Sequence, residues 1–375
     1  MGIKNLHNFL RKYCPKVYTT IPISKYAFKK IAIDTSIFMC KFKSSNGNNF
    51  MDSFLHLISV LRYNEIHFVF VYDTKAPPEK DQEKKHRIEA REKNKIRVAK
   101  IMDTWFNLKQ EQGLSEDHIL ENTDLIEDEV LSTFITKLLD ESGKVTIQKI
   151  DAEIHKLQNT LLSIRTEDFV LTKQFFKACN IPYIDAEGEA EATCAALVKE
   201  GIVAAVLTED TDVLAYKVPI MLHKMDVAEG TFVEIDYEEI LTQLKFTPVQ
   251  FLDFCIMCGT DYNSNIFKVG PDKAYKLLQQ YGSIEAIAEA NLNMNITTLN
   301  YEKTRSLFEH PILLNTIIPY CGFPNKTELE NLYFINNCRF DLERLYSNFN
   351  TSIFHEFEFK TNDSNDKRKP LLLQK

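Results

Sequence analysis

The sequence lacks the long apolar segments that mark membrane and secreted proteins. It contains no run of 18 consecutive apolar residues, so we expect no membrane-spanning helix. Its first residues, MGIKNL, contain neither the apolar stretch of a signal peptide nor the Ser or Thr of a myristoylation site. We therefore expect an intracellular protein without a lipid anchor.

Cysteine is scattered rather than patterned. The eight cysteines include a single CxxC pair, Cys255 and Cys258, with no second pair and no clustered histidines. A zinc site needs four such ligands, and a chain of 375 residues needs no disulfide framework to build a core. We expect reduced thiols, with the pair on one buried helix face.

Acidic residues exceed basic residues modestly over the whole chain, and charge is locally segregated. The net charge of −8 argues against a protein that coats nucleic acid. Residues 75–109 nevertheless carry a net +5, and residues 111–141 a net −9. The 44% hydrophobic and 26% charged content is globular, and the length predicts two to three domains or one large α/β domain.

Apolar runs alternate with helical patterns along much of the chain. This alternation predicts an α/β fold with a mostly parallel central sheet and flanking helices. In residues 123–165, apolar residues at steps of three and four predict two helices packed as a hairpin that projects from the sheet domain. The predicted strands are 31–33, 66–72 and 203–207, with 220–222 and 231–235 weaker, and the predicted helices are 51–63, 168–179 and 189–200.

Acidic residues follow three of the predicted strands. Asp34 and Asp73 each end an apolar run, and a third run leads to Asp210 and Asp212. The carboxyl ends of parallel strands meet at one edge of an α/β sheet, where sites form. A single Asp in such a position is more often a helix cap, but several carboxylates together require cations and favour Mg²⁺ or Mn²⁺.

Three further acids are candidates for the same site. Glu189 and Glu191 open the helix 189–200, and Asp261 follows an apolar helix at 251–257. Residues two apart on a regular helix point about 200° apart, so both glutamates serve one site only if Glu189 lies at a frayed first turn or one acts through water. Attraction of acids to helix N-termini is the alternative explanation. Seven carboxylates suffice for two metals, one activating water and one stabilising the leaving oxygen of a phosphodiester.

A basic stripe follows the second acidic strand. Lys80, Lys84, Arg87 and Arg91 are spaced by 4, 3 and 4 residues, which predicts one cationic helix face. Such a face either binds a phosphate or is simply solvated, and the spacing of the basic residues is equally consistent with both interpretations.

A second phosphate-binding feature is the segment Lys268-Val269-Gly270-Pro271, which opens a predicted helix at 271–280. Ser283 caps the next predicted helix. Two helices joined by a glycine-containing turn present backbone N–H groups to a phosphate.

Together these motifs resemble the XPG/flap-endonuclease family of structure-specific 5′ nucleases, and the compact length and Lys/Asn/Ile-rich composition resemble its large-DNA-virus branch. The resemblance covers roughly residues 1–100 and 166–290. Its motifs are MGIKNL at 1–6, IAIDTS at 31–36, FVYDTKAP at 70–77, IPYIDA at 181–186, EAEA at 189–192, TEDTD at 208–212, CGTDY at 258–262 and GPDKA at 270–274.

The resemblance implies a PIN-like 5′ nuclease fold with a helical arch insertion and a helix-turn-helix (helix-hairpin-helix-like) DNA clamp. It implies four regions: a nuclease region at 1–100, an arch at 101–165, an internal region with the clamp at 166–290, and a helical extension at 291–375. It assigns two Mg²⁺ ions, with Mn²⁺ as a substitute, to Asp34, Asp73, Glu189, Glu191, Asp210, Asp212 and Asp261. Lys80 and Arg87 are the implied catalytic cations, and the implied DNA contacts are Gly2, Lys84, Arg91, Lys268, Gly270 and Lys273.

The implied activity is hydrolysis of DNA phosphodiesters at a flap, gap or junction in replication, repair or recombination. A 5′→3′ exonuclease or an RNA-directed 5′ nuclease on the same fold stays open, as does, more remotely, a non-catalytic scaffold that binds DNA ends. We expect a monomer that acts in the nucleus or at a cytoplasmic viral site of DNA replication, and we find no sliding-clamp motif.

The chain departs from the family pattern at several positions. Cys40 replaces the aromatic residue that stacks on a DNA base in the family, which puts stacking in doubt unless Phe38 substitutes. Lys268 replaces the first glycine of the clamp turn, and Glu187 replaces a proline.

Overall fold

A computed structural model of the chain describes residues 2–115, 118–121, 126–290, 293–309 and 317–350. The end of the predicted C-terminal extension, beyond residue 350, lies outside these residues. No helix within them is long and apolar enough to cross a membrane. The chain divides into two compact units, the first formed by 1–38, 54–80 and 169–375 and the second by 39–53 and 81–168.

The strands are β1 (Tyr18–Pro22), β2 (Lys30–Asp34), β3 (His67–Tyr72), β4 (Ile119–Leu120), β5 (Val145–Thr146), β6 (Tyr183–Asp185), β7 (Ala205–Leu207), β8 (Ile220–Asp226) and β9 (Thr231–Asp236). The α-helices are α1 (Leu6–Tyr13), α2 (Thr35–Asn46), α3 (Phe50–Tyr63), α4 (Asp81–Gln112), α5 (Glu129–Thr136), α6 (Ile147–Thr160), α7 (Thr166–Ala178), α8 (Ala190–Lys199), α9 (Asp212–Ala215), α10 (Tyr237–Leu244), α11 (Pro248–Cys258), α12 (Pro271–Tyr281), α13 (Ile284–Glu289), α14 (Tyr301–Glu309) and α15 (Lys326–Ile335).

A seven-stranded sheet forms the first unit, in the order β1-β9-β8-β7-β2-β3-β6. The pairs β6–β3, β3–β2, β2–β7 and β7–β8 are parallel, whereas β9 runs antiparallel to both β8 and β1. The prediction of an α/β fold with a mostly parallel sheet is therefore confirmed. The three strands that precede acidic residues, β7, β2 and β3, are neighbours in its middle.

The central strands are buried on both faces, which explains their unbroken apolar sequence. Every residue of β3 is buried, as are the three residues of β7. Phe70 on β3 stacks on Phe176 of α7 with ring centroids 3.9 Å apart. On the other side, α8 packs on β2, β3 and β7 through residues such as Cys194 and Leu197.

Two strands of the seven-stranded sheet escape sequence-based recognition, as do the two-residue strands β4 and β5. Strand β1 is exposed at Thr19 and Thr20 and lies at one edge of the sheet, so it has no apolar run. Strand β6 is only three residues long and lies at the other edge, next to β3. Neither strand carries the hydrophobic pattern that identifies the buried strands.

The second unit is mainly helical and contains the short two-stranded sheet β4–β5. Helices α4, α5 and α6 share a core that includes Ile101, Trp105, Leu131, Ile135 and Ile150. The two helices predicted in residues 123–165 are present, as α5 and α6. The apolar residues of α6 that recur at steps of three and four, such as Ile147 and Ile154, face this core. The C-terminal half of α4 joins it through its buried apolar positions, whereas the N-terminal half is charged and exposed.

Candidate active site

The acids that follow the three central strands meet at one edge of the sheet. Asp34 is the last residue of β2, Asp73 directly follows β3, and Asp210 lies three residues after β7. Since these strands are parallel neighbours, their carboxyl ends point the same way. The charges of Asp73 and Asp210 act on the Asp34 carboxyl, so the predicted convergence is observed for these three residues.

Asp34 is fully buried and held by two donors. The Thr208 hydroxyl donates to Asp34 Oδ2 at 3.0 Å, and the Ile37 backbone N–H approaches Oδ1 at 3.5 Å. Burial raises the pKa of Asp34 to about 8, and repulsion from Asp73 and Asp210 adds to this effect. The carboxyl is thus costly to ionise unless a cation joins it.

Asp210 and Asp212 are arranged by a turn between β7 and α9. The Asp212 backbone N–H donates to Asp210 Oδ1 at 2.9 Å, and the Asp210 N–H donates to the Thr208 hydroxyl at 3.1 Å. Both side-chain oxygens of Asp212 are buried without a hydrogen-bond partner. Burial, with the charges of Asp210 and Asp261, raises the pKa of Asp212 well above its usual value.

Glu189 and Glu191 reach the same site although they lie two residues apart. Glu189 is the N-cap of α8, with an extended backbone at φ −95° and ψ 141°, and Glu191 lies in the first helical turn. Both side chains are buried. Glu189 therefore stands outside the regular helix, as a shared site requires. Burial, with repulsion from Asp34 and Asp210, raises the pKa of Glu191.

Asp73 differs from the other six acids because it is exposed. Its Oδ1 accepts a hydrogen bond from the Ala190 backbone N–H at 2.7 Å, which caps the first turn of α8. Asp73 therefore positions the helix that begins with the two glutamates. Its negative charge also raises the pKa of the Asp34 carboxyl.

Lys80 is the cation that lies among these acids. Its Nζ is 2.5 Å from Glu189 Oε1 and 3.2 Å from Asp261 Oδ2. Although burial opposes the charge, Glu191, Glu189, Asp212 and Asp261 raise the pKa of Lys80 above its usual value, so the ammonium is retained.

The prediction that Lys80 shares a helix face with the other basic residues is wrong. Lys80 ends a 3₁₀ turn at Pro78–Lys80, and α4 begins at Asp81. The Lys80 backbone N–H donates to the Pro77 carbonyl at 3.1 Å, which closes the 3₁₀ turn one residue before α4 begins.

The remaining basic residues of the predicted stripe, Lys84, Arg87 and Arg91, lie exposed on α4 in the second unit. Arg87 Nε is 3.1 Å from Glu83 Oε1, and Lys84 Nζ is 3.7 Å from Asp81 Oδ1. Pairs of this kind are typical of a solvated helix face, and both interpretations of the stripe stay open for these three residues.

Gly2 packs directly against the acidic turn. Its backbone is left-handed at φ +80°, and a Cβ there would meet Asp210 Oδ1 and come within 2.8 Å of the Asp212 backbone nitrogen. The adjacent Ile3 N–H donates to the Thr211 hydroxyl at 2.9 Å. The close approach explains why glycine is present at this position.

The predicted phosphate-binding turn has the expected local structure. Gly270 is the N-cap of α12, and Ser283 caps α13 by accepting from the Ala286 N–H. Lys268 adopts φ +61°, a conformation that suits the glycine found in the family. Lys268, Gly270 and Lys273 are exposed.

Neither Cys40 nor its possible substitute Phe38 presents an exposed aromatic ring for stacking on a base. Cys40 is exposed, but Phe38 is only 5% exposed and lies in the core. Phe38 therefore offers little ring surface to a base in this arrangement.

The oxygen ligands of the cluster suit a divalent metal ion, but the distances between them are not those of a formed metal site. The ligands are buried hard oxygens, and the two Asp212 oxygens lack partners. Nevertheless, within the described residues no three His, Cys, Asp or Glu side chains form a group that could hold a metal ion as they stand.

Three polar residues around these acids were not among the candidates from the sequence. Tyr262 donates a hydrogen bond to Glu189 Oε2, and the Tyr216 hydroxyl lies 2.8 Å from that of Tyr262. Thr208 binds Asp34. Each lies within four residues of a predicted acid, and this proximity is the signal that could have drawn attention to them.

Family models match two parts of the chain. Residues 1–94 match the model described as the XPG N-terminal domain, and residues 180–261 match the XPG I-region. These ranges contain all seven candidate metal acids as well as Lys80 and Arg87.

Curated relatives and solved structures extend the similarity. The chain is 36% identical over 332 residues to a probable RAD2-like endonuclease of invertebrate iridescent virus 3, covering 82% of this chain and 85% of the relative. It is 29% identical to flap endonuclease 1 of Scheffersomyces stipitis, covering 83% and 76%. The catalytic core of Rad2 in complex with DNA substrate superposes with a TM-score of 0.59 at 16% identity, covering 89% of this chain and 95% of that one, which shows a common fold.

Proposed function

The chain belongs to the XPG/flap-endonuclease family of structure-specific 5′ nucleases, and on that premise we propose that it hydrolyses DNA phosphodiesters near a 5′ end, at a flap, gap or junction. The proposed setting is DNA replication, repair or recombination. The proposed compartment is the nucleus or a cytoplasmic viral site of replication, and the proposed acting form is a monomer.

One observation carries this proposal: carboxylates at the end of β2, after β7 and at the start of α8 converge on a buried cluster that already contains an ammonium group. Burial raises the pKa values of Asp34, Glu191, Asp210 and Asp212, so holding these acids together in ionised form costs folding free energy. A costly cluster of this kind is typical of a functional site rather than of a stabilising core.

The proposed metal ligands are Asp34, Asp73, Glu189, Glu191, Asp210, Asp212 and Asp261, and the proposed ions are two Mg²⁺, with Mn²⁺ as a substitute. When bound, such ions supply an activated water and stabilise charge on the leaving oxygen. The protein's own contribution is to hold the oxygens in place: Thr208 orients Asp34, the Asp212 N–H orients Asp210, and the Asp73 cap fixes the start of α8.

Lys80 and Arg87 are the proposed contacts to the scissile phosphate. Lys80 keeps its charge within the cluster and would exchange Glu189 and Asp261 for a phosphate oxygen once ions screen those acids. The role of Arg87 rests on family spacing. The proposed DNA contacts are Gly2, Lys84, Arg91, Lys268, Gly270 and Lys273, with the helices of 101–165 acting as the arch and 250–290 as the duplex clamp.

Cleavage of three matched, labelled substrates in Mg²⁺ tests the proposal: 5′-flap DNA, blunt duplex DNA and a flap that contains RNA. Each reaction runs beside Asp210→Ala, which removes a candidate ligand without adding charge. We expect cutting at the flap base that is lost in the variant, while flap binding is retained because acids repel phosphate.

Other outcomes would redirect the assignment. Cutting from the blunt end would indicate an exonuclease, and cutting only in RNA would indicate an RNA-directed nuclease. Tight flap binding without cutting would indicate a scaffold. Deleting 123–165 should change substrate preference more than chemistry, and unchanged preference would refute a gating arch.

A further inference from the structure

The two oxygens of the Glu189 carboxylate have different partners. Oε1 faces the Lys80 ammonium at 2.5 Å, whereas Oε2 accepts a hydrogen bond from the Tyr262 hydroxyl. The same Tyr262 ring lies beneath the ammonium, with Lys80 Nζ 5.3 Å from its centroid. One aromatic residue therefore contacts both the proposed metal ligand and the proposed phosphate cation.

A second tyrosine stands behind the first. The hydroxyls of Tyr216 and Tyr262 are 2.8 Å apart and buried. Tyr262 has one hydroxyl proton, and that proton is directed to Glu189, so Tyr216 must be the donor in the pair. A chain of this kind polarises each hydrogen bond in the same direction, which strengthens the bond that reaches the carboxylate.

The two rings are fixed by their surroundings. Phe308 of α14 packs edge-on against both, with centroids 4.8 Å from Tyr216 and 5.1 Å from Tyr262. Tyr216 follows α9, which begins with Asp212, and Tyr262 follows Asp261. The hydroxyl chain thus links the segments that carry two further acids to the N-cap of α8.

We propose that Tyr262, backed by Tyr216, is a positioning residue that sets the direction of the Glu189 carboxylate for divalent-ion binding and supports Lys80 through its ring. This inference rests on the proposed nuclease function, because the ion and the phosphate belong to that function. Partners that orient metal ligands in this way commonly change ion affinity or activity by 10- to 100-fold when removed.

Tyr262→Phe separates the two roles, because it removes the hydroxyl and keeps the ring under Lys80. The matched control is Tyr237→Phe, since the Tyr237 hydroxyl is equally buried but has no hydrogen-bond partner. Calorimetric titration with Mg²⁺ in the absence of DNA measures the ion affinity directly. We expect Tyr262→Phe to weaken it by about 10-fold or more, Tyr216→Phe to weaken it less, and Tyr237→Phe to leave it unchanged.

A double-mutant cycle provides a second measurement that needs neither metal nor DNA. Tyr262→Phe is made in the wild-type chain and in Glu189→Gln, and thermal unfolding is followed in EDTA. If the hydroxyl acts on Glu189, the two changes are not additive, and the midpoint falls further in the wild-type background than in Glu189→Gln.

These outcomes decide the proposal separately from the nuclease function. Additive effects in the cycle would overturn it, as would an unchanged Mg²⁺ affinity in Tyr262→Phe or a wild-type protein that binds no Mg²⁺. A wild-type protein that binds Mg²⁺ but cuts no DNA would overturn the nuclease function alone, and both measurements on Tyr262 would keep their meaning.

Discussion

The Lys80 ammonium lies 2.5 Å from Glu189 Oε1 and 3.2 Å from Asp261 Oδ2. A lysine in this position is a built-in counterion: it offsets repulsion among carboxylates that the fold forces together. Its contribution is greatest when no divalent ion is bound.

Replacing Lys80 tests this counterion role. Lys80→Met should lower the unfolding midpoint in EDTA, and added Mg²⁺ should recover part of the loss. Cleavage should slow by about 10²-fold or more, because a positive group at the phosphate is lost. Lys85→Met is the matched control, because Lys85 is exposed, lies only five residues later and is not a proposed DNA contact. Cleavage at the wild-type rate in Lys80→Met would refute the role.

The metal-free protein should become less stable as the pH rises. Burial raises the pKa of Asp34 from 3.8 to about 8, so between these values the folded state holds a proton that the unfolded state has lost. The stability from this proton is complete below about pH 4 and is lost as the pH rises through about 8. Urea unfolding in EDTA across this range measures the slope.

Asp34→Asn is the control for the pH effect, since it removes the titrating group and keeps the shape. Its stability should fall less steeply with pH than that of the wild type. Glu191 and Asp212 shift in the same direction, so a residual slope is expected. Identical slopes in the two proteins would show that Asp34 does not titrate as described.

Arg305 should matter for stability because it neutralises a buried acid. Its guanidinium binds Asp253 through two bonds of 2.7 Å and also binds Glu285, joining α11, α13 and α14. Asp253 is fully buried. Arg305→Ala leaves that charge unpaired and should cost about 3–5 kcal/mol of unfolding free energy, measured in urea.

The matched control for Arg305 lies two residues away on the same helix. Lys303 is exposed and makes one ion pair of 3.4 Å with Glu79, so Lys303→Ala should change stability by less than about 1 kcal/mol. Equal effects of the two substitutions would contradict the importance of the buried pair.

Gly2 should be intolerant of even one added carbon. Gly2→Ala places a Cβ against Asp210 and Thr211, so we expect the acidic turn to shift and cleavage to fall by at least about 10-fold. Gly230→Ala is the control, because Gly230 has a similar backbone at φ +63° but open space around it. If both variants cut equally well, the contact has no role in the site.

The sequence predicts the buried centre of the fold well and its edges poorly. Strands β2, β3 and β7 are found from apolar runs, because strands covered on both faces have no polar alternation. Strand β1 carries exposed threonines, so no such pattern marks it. Five of the candidate acids could be picked out because they follow a recognisable strand or helix, and Glu189 and Glu191 because they open a recognisable helix.

Positions that depend on tertiary contact could not be predicted in the same way. Helical spacing places Lys80 on the same helix as Lys84, but Lys80 ends a 3₁₀ turn and α4 begins one residue later, at Asp81. Tyr262 is adjacent to Asp261 in sequence, but its hydrogen-bond partner Glu189 is separated from it by 73 residues. A local sequence pattern cannot predict a contact between residues so far apart in the chain. The direction of a side chain at a helix start, as in Glu189, is likewise set by packing.

The short edge strand β6 limits how copies of this protein can associate. An open sheet edge with unpaired backbone groups invites strand addition from another molecule and hence aggregation. Strand β6 offers three residues, follows Pro182, and ends at Asp185, which pairs with Lys173 at 2.5 Å. Proline cannot donate to a new ladder, and the charge at the other end favours water. These features therefore disfavour the addition of a strand from another molecule at the β6 edge of the sheet.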